Sequence, residues 1–336
     1  MNSIELYRKN VTKIKEIDNM EDRAKDKVLG ALFGQAVGDA LGMGAEYMSK
    51  EKVQEVYPSG LRHYSDIRNN VIGGFQPGDY TDDTEMMEHI VYSLNKEGKY
   101  DLMSISQFFR RWYEYGPKDC GLLTSRVLSN PLYRQDPLGV SRMTWEEDNR
   151  NAAGNGGVMR TSVIGCLNGN VEEMAADVCR LTHYDPRCVG SSVIVSMVIH
   201  QLVYHDYIMT PDEVVQLGRK YDESIEYYVQ RATDPDIACL QLDERRKRGY
   251  TLKAMGAALW ALWHPVDFTE GLVTVVNEGG DADSNGAPAG AVLGARFGYC
   301  EIPVEYTEGL NRYTDLKRIF ELLIKKGFTY GHLQQD

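Results

Sequence analysis

Two short acidic stretches hold the densest set of hard oxygen ligands in the chain. Thr81-Asp82-Asp83-Thr84-Glu85 follows a Gly/Pro loop and opens an apolar-periodic run (Met86, Met87, Ile90, Val91, Leu94). Gly279-Gly280-Asp281-Ala282-Asp283-Ser284-Asn285 opens another. Carboxylates and hydroxyls are the ligands Mg²⁺ and Mn²⁺ prefer. Brought together without a cation, such carboxylates repel each other and are driven partly to the protonated form. Two clusters of one chemistry, each at a helix start, suggest a shared site for two divalent ions. The plainer reading of each alone is helix capping: Thr81 is a good N-cap, and acidic residues in a first turn complement the helix dipole. Glu46, beyond Gly38-Asp39-Ala40-Leu41-Gly42, could act as base or metal ligand, or be a surface glutamate.

Gly154-Asn155-Gly156-Gly157-Val158-Met159-Arg160 is a glycine-rich turn feeding an apolar run. Backbone N–H groups at such a turn suit a phosphate or diphosphate, although no strand precedes it and it matches no nucleotide-binding fingerprint. His183, in Leu181-Thr182-His183-Tyr184-Asp185-Pro186, sits where a helix ends and reads as a cap, a core residue or a ligand contact. The sequence shows no Ser/His/Asp arrangement and no H-E-x-x-H.

Helices must position these groups. Residues 104–115, 171–181, 189–203, 211–230, 252–263, 268–277 and 316–326 repeat apolar residues at three- and four-residue spacing. Long alternating runs are absent, so the expected fold is all-α, one domain around one core, with loops at 57–60, 71–79, 116–121, 130–139 and 149–157. Gly30, Gly34, Gly38 and Gly42 recur every fourth residue, as do Gly286, Gly290, Gly294 and Gly298. That spacing places four glycines on one helix face. Each costs about 1 kcal/mol of helix propensity against alanine, which close backbone approach between two helices would explain. Residues 1–26 alternate Lys, Arg, Glu and Asp with sparse apolar residues and read as a charged helical extension preceding a domain at 27–336.

The 336 residues include 37 Lys+Arg and 49 Asp+Glu, a net charge of −12. An acidic chain lacks the surplus cations that phosphate polymers require, so nucleic acid is not an expected partner. No run of ~18 uninterrupted apolar residues suggests a membrane span, and residues 1–18 have no apolar signal core. Six scattered cysteines form no C-x-x-C pair, so neither zinc nor a disulfide framework is expected and a reducing cytoplasm is.

Taken in order, GALFGQAVGDALGMGAE (30–46), GDYTDDTEM (78–86), GNGGVMR (154–160), Thr182-His183 and GGDADSNGAPAGAVLGA (279–295) resemble the ADP-ribosylglycohydrolase family, whose best-known members remove ADP-ribose from modified arginine. The resemblance implies an orthogonal all-helical bundle with two Mg²⁺ or Mn²⁺ ions. It implies Thr81, Asp82 and Asp83 as ligands from one side and Asp281, Asp283 and Ser284 from the other. Glu46, Asp82 and Asp283 fall on the catalytic positions, Gly154, Asn155 and Gly156 where the diphosphate sits, and His183 along the ADP-ribose cleft. Asp119, in Lys118-Asp119-Cys120-Gly121, resembles an acidic position near the substrate guanidinium. The family's second motif more often reads G-G-D-T-D-T; here Ala282 and Ser284 replace the threonines, and only Ser284 keeps an oxygen.

The expected activity is therefore metal-dependent hydrolysis of ADP-ribosyl-arginine on proteins, with Glu46 taking a proton from the attacking water. Serine-linked or free ADP-ribose derivatives are the alternative substrates. A different alternative is an immunity protein that also blocks an ADP-ribosyltransferase toxin through residues 1–26, and a third is a non-catalytic ADP-ribose binder.

Overall fold

The computed structural model describes the backbone of residues 3–68 and 74–327, and side chains from residue 21 onward. The proposed toxin-binding arm rests mainly on side chains outside the described residues. Among these residues there are 16 α-helices and no strand, only an isolated bridge between Gly154 and Tyr250. The expected all-α fold is what forms.

Two antiparallel helices make the spine: Ser3–Gly42 and Ala282–Phe297. The glycine spacing explains their packing. A Cβ on Gly30, Gly34, Gly38 or Gly42 would lie 2.2, 2.1, 2.0 or 2.3 Å from the carbonyl oxygen of Gly294, Gly290, Gly286 or Ala282 respectively. Only bare Cα atoms permit that approach. Gly298 packs at the seam's end, its carbonyl carbon 2.9 Å from where a Cβ on Gly30 would stand, but it faces Asp26 rather than a fourth glycine. It ends the helix at φ +98°, and Ala282 takes the place opposite Gly42. The first helix passes residue 26 without a break, so extension and core helix are one element.

Around this spine, Thr251–Trp263, Phe268–Val276 and Pro186–His205 pack their apolar faces into one core. Glu21–Ala45 and Pro186–His205 are long and apolar enough to cross a membrane, but 94% and 72% of the most apolar 18-residue window in each is buried within the protein. Pro186–His205 starts earlier than its periodicity indicated, because Asp185 caps it from the Arg187 N–H with Pro186 in the first turn.

The run 211–230 forms two helices rather than one, Pro211–Gly218 and Ser224–Ala232. A Cβ on Gly218 would lie 2.4 Å from Ile225 Cγ2, so the chain folds back tightly there. Asp222 Oδ1 then accepts from the Ser224 N–H at 2.8 Å and starts the second helix. The 130–139 stretch, read as loop, contains a 3-10 turn, Pro131–Arg134, and the start of the helix Pro137–Glu147.

Candidate active site

The glycine seam decides where the acidic groups meet. Because the spine helices are antiparallel, the end of the first, leading through the 3-10 turn Met43–Ala45 to Glu46, abuts the start of the second, where Asp281 and Asp283 stand. Carboxylate oxygens of Glu46, Asp281 and Asp283 lie within 4.8 Å of one another. Backbone bonds clasp the two segments: Tyr47 N–H donates to Gly280 O at 2.7 Å, and Gly280 N–H to Met48 O at 2.8 Å. Tyr47 takes a left-handed φ of +59° in this clasp, and Gly279 and Gly280 are at +71° and +76°.

The helix Asp82–Glu97 brings the other cluster. Its start is pinned by Asp39, which is fully buried one turn before Gly42. Asp39 accepts from Thr81 N–H and Oγ1–H, each at 3.0 Å, and from Thr84 N–H at 3.0 Å and Oγ1–H at 2.6 Å. Ser284 Oγ donates to Asp83 Oδ1 at 3.3 Å, joining positions 201 residues apart. Asp82 Oδ2 accepts from the Gly121 N–H at 3.3 Å.

These residues open on a cleft of about 350 Å³, within the ordinary range for a small-molecule site. Its wall includes Glu46, Asp82, Asp83, Asp281, Asp283 and Ser284, together with Asp119, Gly154, Asn155, Gly156 and His183. Thr81 alone of the expected site residues is not on that wall. Its hydroxyl is turned to Asp39 while accepting from the Asp83 N–H at 3.4 Å. The glycine-rich turn is also less free than its sequence implied: Asn155 N–H donates to Gly249 O at 2.9 Å, and Asn155 Nδ2 to Asp281 Oδ2 at 2.7 Å.

Burial with like charges sets the electrostatics. Burial, then Asp281, Asp119 and Asp82, push Glu46 up to about 8. Burial and Asp119 push Asp82 to about 8, against the Gly121 N–H. Asp83 and Asp283 are held well above the usual carboxylate range by burial and their acidic neighbours, and burial raises Asp39 to about 6 despite four hydrogen bonds. His183 is held down at about 3 by burial and by the Arg160 guanidinium.

Asp83 Oδ2 and Asp283 Oδ1 are buried without a hydrogen-bond partner, and an orphaned buried carboxylate oxygen is costly. Divalent cations between the segments would satisfy both and relieve the repulsion, so the donor set fits such ions. Asp39 was not among the residues expected from sequence. Its signal was present: one carboxylate inside the otherwise uncharged, glycine-seamed run 28–45. Nothing local in the sequence marked Tyr47 or Gly121.

Comparison with known proteins agrees with this architecture. The family model for ADP-ribosylglycohydrolase matches residues 20–331, and the chain belongs to that family. It is 26% identical over 328 residues to the ADP-ribosylarginine hydrolase Tri1 of Serratia proteamaculans, covering 90% of this chain and 80% of that protein. It is 27% identical over 286 residues to the ADP-ribosyl-[dinitrogen reductase] glycohydrolase of Rhodospirillum rubrum, covering 83% and 88%. A solved structure titled an ADP-ribosylglycohydrolase-related protein complex superposes with a TM-score of 0.73 at 25% identity, covering 91% of this chain and 99% of that one.

Proposed function

We propose that the protein is a metal-dependent hydrolase that releases ADP-ribose from ADP-ribosylated arginine on proteins. Family membership supports the ADP-ribosyl glycohydrolase class, and the name of the Serratia relative supports arginine as the linkage. The observation that carries the reading is the contact between Ser284 and Asp83, which joins the two acidic segments in one cleft.

Two Mg²⁺ or Mn²⁺ ions held by Asp82, Asp83, Asp281, Asp283 and Ser284 would supply Lewis acidity toward the ribose hydroxyls and toward a water. Glu46 takes a proton from the attacking water as the water oxygen bonds to the anomeric carbon and the C–N bond breaks. Over the whole reaction the proton that Glu46 takes from the water balances the one gained by the departing guanidine nitrogen, and Asp119 is the half-buried carboxylate on the cleft wall that attracts the resulting cation. The 154–156 turn and His183 receive the diphosphate side of the ligand.

The test is release of ADP-ribose from an arginine-ADP-ribosylated protein with Mg²⁺, beside a serine-linked substrate. Release from the arginine conjugate supports the reading. Release from the serine conjugate alone moves the specificity, and release from neither removes the activity. Asp119→Ala should lower arginine-linked turnover far more than ADP-ribose affinity.

A further inference from the structure

Beneath the glycine-rich turn runs a buried chain of three polar side chains, Arg160, Thr182 and His183, of which only His183 reaches the cleft wall. They are 0%, 1% and 2% exposed in that order. Arg160 donates from one Nη to Thr182 Oγ1 at 2.8 Å and to Val178 O at 3.1 Å. Thr182 Oγ1 lies 2.8 Å from His183 Nδ1. At the far side of the ring, a Cβ on Gly154 would stand 3.3 Å from Nε2 and one on Gly156 3.0 Å. The ring, although almost wholly buried, reaches the cleft wall with its Nε2 edge because the turn has no side chains there.

We infer that Arg160 and Thr182 are positioning residues that fix His183 as its Nε2–H tautomer, so that a neutral imidazole offers one hydrogen-bond donor to an oxygen of ADP-ribose lying against the 154–156 turn. The inference rests on the reading that this cleft takes ADP-ribose. Its direction follows from counting protons. A guanidinium has donors only, so Arg160 must find an acceptor in Thr182 Oγ1. The hydroxyl proton then needs its own acceptor, and His183 Nδ1 is the one within reach. A proton on Nδ1 would instead make Oγ1 accept twice and strand the hydroxyl proton in a dry interior, which is expensive. A second proton on the ring would add an imidazolium beside a buried guanidinium. Arg160 makes no ion pair among the described residues: it lies 4.5 Å over the Phe109 ring, reaches Met86 Sδ at 3.4 Å, and leaves its Nε without a partner. Its charge is thus left to act on the ring and the cleft.

The relay is read in protein labelled with ¹⁵N-histidine, by long-range proton–nitrogen correlation spectra of the ligand-free form, with His183 assigned through His183→Gln. Wild type and Thr182→Ser should both show a pyridine-type Nδ1 and a protonated Nε2. Thr182→Val, which keeps the shape and removes the hydroxyl, should show a mixed or reversed tautomer. Calorimetry with ADP-ribose and Mg²⁺ should give about tenfold weaker binding for Thr182→Val, the worth of one neutral hydrogen bond, and recovery in Thr182→Ser. A protonated Nδ1 in the wild type, or a Thr182→Val protein with unchanged spectrum and affinity, overturns the inference. Should Thr182→Val fail to fold, the wild-type and Thr182→Ser spectra decide alone. An Nε2–H signal with no ADP-ribose binding upholds the relay and instead removes the proposed ligand.

Discussion

Gly38→Ala tests how the spine builds the site. Helix propensity taken alone favours alanine by about 1 kcal/mol. The added Cβ, however, would stand 2.0 Å from Gly286 O and 2.6 Å from its carbon, about 1.4 Å short of the 3.4 Å where ordinary contact begins. The obstacle is backbone on a helix, so no rotamer change relieves it. The two helices must part, and the neighbouring Gly34–Gly290 and Gly42–Ala282 approaches open with them. Overpacking of this kind costs about 1–3 kcal/mol, and more when backbone must shift. The net expectation is a loss of about 1–2 kcal/mol in urea denaturation. Parting the helices also moves Glu46 away from Asp281 and Asp283, and a misplacement of about 1 Å can cost 10²-fold in rate. Turnover of arginine-linked ADP-ribose should therefore fall by about 10–100-fold while the helical signal in circular dichroism is kept. A Gly38→Ala protein as stable as its parent, or more so, would refute this account of the seam.

Asp283→Asn should raise the melting temperature of protein stripped with chelator, since it removes one charge from a crowded acidic cluster, yet abolish the Mn²⁺-induced rise; a parent-like rise would count against Asp283 as a ligand. Asp39→Ala removes the acceptor of four hydrogen bonds from Thr81 and Thr84 and should cost about 2–4 kcal/mol in chemical denaturation, together with weaker Mn²⁺ binding by calorimetry. Glu88 gives a pH prediction: burial pushes it up to about 7, against Arg312 at 3.1 Å. A raised carboxyl contributes stability that is complete below its unfolded value of 4.5 and lost as pH rises through 7. Between about pH 5 and 8, Glu88→Gln should thus flatten the stability profile by about 2 kcal/mol, and parallel profiles for the two proteins would contradict it.

The helical class and both acidic clusters were legible because their signals are local: apolar periodicity, a cap at Thr81, and oxygen ligands packed within a few residues. The glycine spacing foretold a close helix pair but not its register, which depends on which carbonyl meets which Cα; hence Ala282, with no glycine to mark it, was not seen as the residue opposite Gly42. Asp39 was hidden by the same limit. Its partners Thr81 and Thr84 are 42 and 45 residues away, and an aspartate in an uncharged stretch of helix carries no sign of which groups it will hold. The break at 219–223 was missed because Gly218 suits either a continuous helix or a turn; the Ile225 side chain packed against it decides between them. Tyr47 owes its left-handed backbone to the clasp with Gly280, a contact spanning the chain.

The central claim is that Asp82 and Asp83 meet Asp281, Asp283 and Ser284 around divalent cations. Anomalous diffraction at the manganese edge from crystals grown with Mn²⁺ tests it most directly. Two peaks between these side chains, with Glu46 beside them, are the expected result. A map with no anomalous density between the two acidic segments would contradict the account.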